Sequence, residues 1–327
     1  MTPIIWAVVG LGLTYAFLNG MNDSGSLAAA VICTGAVGPR KALLLVAGAQ
    51  LLGALTAGVA VAHTVGRGIV APGAATAEAV ATALAATILW GLLSAWLGLP
   101  SSSSHALVGA LAGAVWAHAG LGAVSLQGIG RVLVVLFISP CLGFAAAFAL
   151  MKLLYQALQD ATPKAGARLE RAQWLPTVLV AMGHGANDAQ KAMGIVALGL
   201  SAAGALPAFE IPFWLQVAAA VAMAGGTSVG GTRVMRTVGL KLYRMRAIHG
   251  FAAQAASAIV VVGASLLGGP VSTTQVIGAS IAGAGSAQRF SQVRWGVIGH
   301  IVTAWFLTIP AAGGLASVLY WLLVHHP

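Results

Sequence analysis

From Ala42 to Ala62 the chain runs 21 residues without a charged side chain, and from Ile211 to Thr232 it runs 22. A helix of about 20 mostly apolar residues crosses the hydrocarbon core of a bilayer, so each stretch is long enough to span one. Longer uncharged runs, Ala79 to Gly130, Ala247 to Gln288 and Trp295 to Pro327, exceed one crossing. Some of them should hold two spans, or a span plus a membrane hairpin, and about ten hydrophobic segments are expected overall. Only 7% of the residues are charged and 59% are hydrophobic, far from the balance of a soluble domain. The expected class is an all-α polytopic membrane protein.

The polar remainder excludes several alternatives. The start, "MTPIIWAVVGLGLTYAFLNG", lacks a basic n-region and a small-residue cleavage site, so it reads as a retained first helix. Two cysteines, Cys33 and Cys141, form neither a disulfide framework nor a metal-ligand set, and they read as buried small residues. The net charge of +10 comes from clusters at Arg40/Lys41, Lys164/Arg168/Arg171 and Arg233/Arg236/Lys241/Arg244/Arg246, between hydrophobic segments. Clusters so placed anchor loops at lipid headgroups, so no nucleic-acid partner is expected.

The chain repeats itself. "GMND" at 20–23 returns as "GAND" at 185–188, "PSSSSHALVGALAGA" from Pro100 returns as "PVSTTQVIGASIAGA" from Pro270, and Pro140 returns as Pro310. The boundaries that follow are a first membrane repeat at 1–155, a polar linker at 156–173 and a second repeat at 174–327. Two related membrane halves with polar residues in matching places are the pattern of a secondary transporter with its site between the repeats. An inverted pair is expected, each repeat carrying a broken helix and a re-entrant helical hairpin, although hydropathy alone does not separate a hairpin from a short span.

Of six acidic residues, Glu78, Asp160, Glu170 and Glu210 fall near segment ends or in the linker, which leaves Asp23 and Asp188 inside apolar segments. A charged side chain at the bilayer centre costs on the order of 2.5–3.5 kcal/mol on insertion scales, so such acids face a polar cavity and have partners. Asn22/Asp23 and Asn187/Asp188 are hard oxygen donors. The glycines around them, Gly20, Gly25, Gly183 and Gly185, would let the helix break and expose carbonyls. Na⁺ would suit such groups, with Asp23 and Asp188 as its ligands, or a carboxylate could load a proton instead.

"PSSSSH" and "PVSTTQ" read as helix starts, with proline in the first turn and Ser101, Ser102, Ser103, Ser104, Ser272, Thr273 and Thr274 capping free amides. Two such positive ends converging from both repeats would cradle a tetrahedral oxyanion. Lys191, one turn after Asp188, would either neutralise that acid or contact the anion. His105, matched by Gln275, reads as a packing polar group or a hydrogen-bond donor to the site. Two carboxylates and a phosphate-like anion beside one lysine concentrate negative charge in a low dielectric, which calls for a co-bound cation or proton.

At these residues the sequence resembles the PiT family of inorganic phosphate transporters. The resemblance rests on "HGANDAQKAMGI", on "PSSSSHALVGA" and "PVSTTQVIGA", and on "GTSVGGTRVMRTVGLKL" at 226–242, and it covers nearly the whole chain. It implies inverted repeats, a central phosphate site shared by both Asn-Asp motifs and both hairpin tips, coupling to H⁺ or Na⁺, and no cofactor beyond that ion. The expected setting is the plasma (inner) membrane, with the oligomeric state open, a homodimer included. The chain departs from its relatives at Gly25 and Ser26, at Gln275 and at Lys191, where a frequent Asn gives way to a fixed positive charge. A charge there disfavours Na⁺ and leans the expectation towards protons.

Sulfate shares the shape of phosphate but lacks a proton to donate to a carboxylate. An anion channel would share the polar tips without needing coupling acids. "GTSVG" at 226–230 matches the G-x-S-x-G pattern of a hydrolase, but that pattern marks a nucleophile elbow only between a strand and a helix, so no enzyme is expected.

Overall fold

The computed structural model describes residues 3–35, 37–97, 101–160, 163–230 and 246–325. Pro100 and the basic residues Arg233, Arg236, Lys241 and Arg244 lie outside them, as does most of the 226–242 motif. The described residues are almost wholly helical, with one isolated backbone bridge between Val70 and Val124. The first half runs α1 (Pro3–Cys33), α2 (Pro39–Thr56), α3 (Ala60–Gly68), α4 (Ala77–Trp96), α5 (Ser103–Ala119) and α6 (Leu126–Ala157). A short charged helix, α7 (Pro163–Ala172), lies in the linker. The second half runs α8 (Trp174–His184), a π-turn at Gly185–Ala189, α9 (Gln190–Ala202), α10 (Phe213–Val229), α11 (Ala247–Leu266), α12 (Thr273–Gln288) and α13 (Trp295–His325).

Five of these helices are long and apolar enough to cross a membrane, and six if the pair α2 and α3, bent by 73°, forms one span. The other apolar segments are shorter helices: α5, α8, α9, α10 and α12. The protein is an integral, multi-pass membrane protein. Its outer surface carries large apolar side chains, such as Trp6, Leu142 and Leu323, which suit lipid and would be a liability in water.

Inside, helices approach closely because the crossing residues are small. The packing is reciprocal between the halves: α5 lies along α13 and α12 along α6, while α1 lies along α10 and α8–α9 lie along α2–α3. Pro140 and Pro310 each sit inside a long helix, α6 and α13. Each removes one backbone hydrogen bond without ending its helix.

The helix irregularity falls at the expected glycines in the second half, where a π-turn begins at Gly185, but not in the first. α1 runs unbroken for 31 residues through Gly20, Asn22, Asp23 and Gly25. The break in the first half comes at 57–59, between α2 and α3, where Gln190 Oε1 accepts from the Val61 and Ala62 amides at 2.9 and 3.3 Å. In the second half the Asn-Asp pair lies within the π-turn. Gly20 and Gly185 serve close approach instead: a Cβ at Gly20 would strike the Met223 carbonyl of α10, and one at Gly185 the Gln50 carbonyl of α2. The cysteines also differ from expectation, since Cys33 is half-buried and Cys141 is exposed on α6.

Candidate functional site

The two Asn-Asp centres come together through a residue that the motif analysis left unassigned. His184, the last residue of α8, points its Nε2 at Asp23 Oδ2 of α1, 3.1 Å away, and at Asp188 Oδ2, 2.8 Å away. Carboxylates only accept, so Nε2 donates to them. The other ring nitrogen, Nδ1, meets Gln50 Nε2 at 2.7 Å, and Gln50 Oε1 accepts from Thr227 Oγ1 at 2.5 Å. Thr227 Oγ1 also lies 3.1 Å from the Gly20 carbonyl. The chain from Thr227 through Gln50 holds the imidazole in one orientation, and all five side chains of the network are buried, with Asp188 only 1% exposed. Sequence carried a signal for His184, which sits four residues before Asp188 and so on the same helix face. Gln50 and Thr227 carried none.

Asp23, His184 and Asp188 offer donor atoms within 4.8 Å of one another, close enough to ligate a metal ion. The imidazole, however, is spent as a hydrogen-bond donor between the two carboxylates, where such an ion would sit.

Lys191 takes the other oxygen of Asp188, and its ammonium also donates to the Val271 carbonyl and, at 2.6 Å, to Ser104 Oγ. Of the two roles expected for Lys191, pairing with Asp188 is the one formed here. Asn187 reaches the same hairpin tip: its amide donates to the Gly269 carbonyl at 2.9 Å and to Ser265 Oγ at 3.0 Å, and its oxygen accepts from the Val271 amide at 3.0 Å. The second Asn-Asp pair thus grips the non-helical residues ahead of α12.

The two hairpin tips meet nose to nose. Ser102 is the N-cap of α5 and Ser272 that of α12, and Ser102 Oγ donates to Ser272 Oγ at 2.9 Å. Pro270 lies ahead of the N-cap rather than within the first turn of α12. Beneath the tips His105 Nδ1 pairs with Gln275 Nε2 at 3.2 Å, which makes His105 a buried packing group.

A cavity of about 900 Å³ opens beside this cluster. Asn22, Asp23, Ser101, Ser103 and Thr274 border it, together with Asn19, Ser26 and Gln275. Ser103 Oγ donates to Asn19 Oδ1 at 2.8 Å, and Ser101 Oγ pairs with Ser94 Oγ at 2.7 Å. Asn187, Asp188, Lys191, Ser102, Ser104, Ser272 and Thr273 are buried behind its wall. The expected site residues therefore divide into a cavity-facing set and a buried set, within which Ser102, Ser104 and Lys191 bridge the two halves. Tyr15, Thr87 and Ser94 add further hydroxyls, and the rest of the lining is apolar, including Phe137, Phe144 and Trp305.

The sequence pattern of the phosphate transporter family matches residues 19–316, from the first of these site residues to the last long helix. The chain belongs to the phosphate transporter family. It is similar to proteins described as "Probable low-affinity inorganic phosphate transporter" from Rhizobium meliloti and from Bacillus subtilis. Both are 37% identical; the first match covers 98% of this chain and 96% of the relative, the second 97% and 96%. A solved structure titled "The sodium-dependent phosphate transporter" superposes with a TM-score of 0.92 at 25% identity, covering 100% of both chains. In this member of the phosphate transporter family, "GTSVG" ends helix α10, and Ser228 Oγ donates to the Gly225 carbonyl at 2.7 Å. A helix end is not the strand-to-helix elbow that a nucleophilic serine needs.

Proposed function

We propose that the protein carries inorganic phosphate across the plasma membrane by symport with H⁺ or Na⁺, alternating access between two inverted repeats. The observation that carries this reading is the union of both Asn-Asp centres through His184, beside a cavity bordered by residues of both hairpin tips. Reciprocal packing of the halves supports a two-fold relation between them. Relatives described as phosphate transporters, two of them bacterial, support the substrate and the membrane.

The chemistry follows from charge. Phosphate entering the cavity meets hydroxyls of Ser101, Ser103 and Thr274 and the start of α5, while Asp23 borders the same space as a pure acceptor. An acceptor carboxylate repels a fully ionised oxyanion but accepts from an anion that keeps a hydroxyl, which favours phosphate over sulfate. Bringing a further negative charge beside Asp23 calls for a positive partner, a proton or Na⁺ held by Asn22 and Asp23. Asn187, Asp188 and Lys191, behind the wall, complete the binding unit with Thr273, while Ser102, Ser104 and Ser272 couple the tips.

The deciding experiment is uptake of labelled phosphate into proteoliposomes under separately imposed Na⁺ and H⁺ gradients. Accumulation driven by one gradient, and not competed by excess sulfate, is expected. Full-rate flux without any gradient would instead mark a channel, and strong competition by sulfate would overturn the substrate.

A further inference from the structure

Lys191 is 1% exposed and stands among the largest fully buried side chains of the protein. Its ammonium lies among three oxygens: a carboxylate from Asp188, a backbone carbonyl from Val271 and a hydroxyl from Ser104. These are the hard donors that a small monovalent cation takes, and backbone carbonyls freed at broken helices are the usual Na⁺ ligands of carriers. They come from both halves, with Ser104 from the tip of α5, Asp188 from the π-turn and Val271 from the residues ahead of α12.

The offset of 165 that relates the Asn-Asp motifs places Ser26 where the second half has Lys191. Ser26 is uncharged and borders the cavity with Asn22 and Asp23. The two centres are therefore unequal: at the cavity Asp23 meets the His184 imidazole but no lysine, and the other centre is buried with a lysine seated on it. We infer that the Lys191 ammonium is a tethered cation occupying the seat of a coupling ion at Asp188, so that only the Asp23 centre takes an exchangeable one.

The inference rests on reading the protein as a cation-coupled carrier. At Asp188 the donors fit Na⁺, but their lone pairs are committed to Nζ, and a second positive charge in the same seat would be repelled. The consequence is one exchangeable cation fewer per anion than a carrier using both centres, because the lysine charge never leaves the protein.

The test is the melting temperature of the purified, detergent-solubilised full chain without phosphate, in sodium chloride against choline chloride at equal ionic strength. Wild type, Lys191→Asn, Lys191→Arg and Asp23→Asn are compared. A ligand that binds only the folded state raises Tm. Lys191→Asn should gain a Na⁺-dependent rise of a few degrees beyond that of the wild type, Lys191→Arg should not, and Asp23→Asn should have no Na⁺ response. A Lys191→Asn variant that folds only in Na⁺ would also support the assignment. A folded Lys191→Asn responding no more than wild type overturns it, as does any Na⁺ response remaining in Asp23→Asn. If Lys191→Asn folds in neither salt, the Asp23→Asn result decides. Since phosphate is absent, this outcome is independent of the uptake assay, whose failure would overturn the transport reading instead.

Discussion

His184 Nε2 lies 3.1 Å from Asp23 Oδ2, a hydrogen bond between the two halves of the chain made inside the hydrophobic interior. The offset that relates the halves pairs His184 with Asn19, so only one repeat supplies the imidazole that both carboxylates share. Hydrogen bonds to charged groups are worth about 1.5–3 kcal/mol each, and a tenfold effect corresponds to about 1.4 kcal/mol. His184→Ala is therefore expected to lower uptake about tenfold or more and to lower Tm. Wild-type uptake by a well-expressed His184→Ala would remove the imidazole from the site.

The two aspartates should respond differently to neutralisation. Asp23→Asn leaves no buried lysine without its partner, so loss of uptake with near-native Tm is expected. Asp188→Asn strands the Lys191 ammonium, and breaking a buried pair costs about 3–5 kcal/mol. The double variant Asp188→Asn/Lys191→Met should recover much of that stability without recovering transport. Thermal unfolding of the three proteins checks the order, and equal Tm values for both single variants would contradict it.

Ser102 and Ser272 touch at 2.9 Å where the tips meet. In a background with Cys33 and Cys141 replaced by alanine, the pair Ser102→Cys/Ser272→Cys should form a disulfide under mild oxidation. If the tips part during the transport cycle, uptake stops on oxidation and returns with reductant. Crosslinking that leaves the rate unchanged would show that the tips stay together throughout.

Close packing of α5 on α13 makes its own prediction. A methyl on Gly113 would overlap the Gly313 carbonyl, whereas nothing lies within 4 Å of one on Gly48 in α2. Gly113→Ala should destabilise by about 1–3 kcal/mol through overpacking. Gly48→Ala should be neutral or stabilising, as expected for glycine removed from a helix interior. A comparison of Tm values separates the two.

The site was legible where charge is scarce. In a chain with so few acids, Asp23 and Asp188 stand out, and the pairing of Lys191 with Asp188 follows from a three-residue spacing. His184 was harder to read, because histidine is a common helix-end residue and its value here comes from Asp23, which lies far away in sequence. Gln50 and Thr227 join the site only through the crossing of α2 and α10 near α1. The path of α1 is not legible because glycine permits a break without requiring one; close contact of Gly20 with Met223 uses the missing side chain instead. Which serines face the cavity depended on the azimuth of each tip, and four consecutive serines carry no such phase.

Because α5 finds its partner in α13 and α12 in α6, neither half completes its packing by itself. While the ribosome is still making the second half, the first waits in the bilayer with the faces of α5 and α6 against lipid. Assembly therefore ends only after the last helix is inserted. A chain cut within 161–162 should regain its fold when both fragments are co-expressed, and neither fragment should accumulate when made without the other.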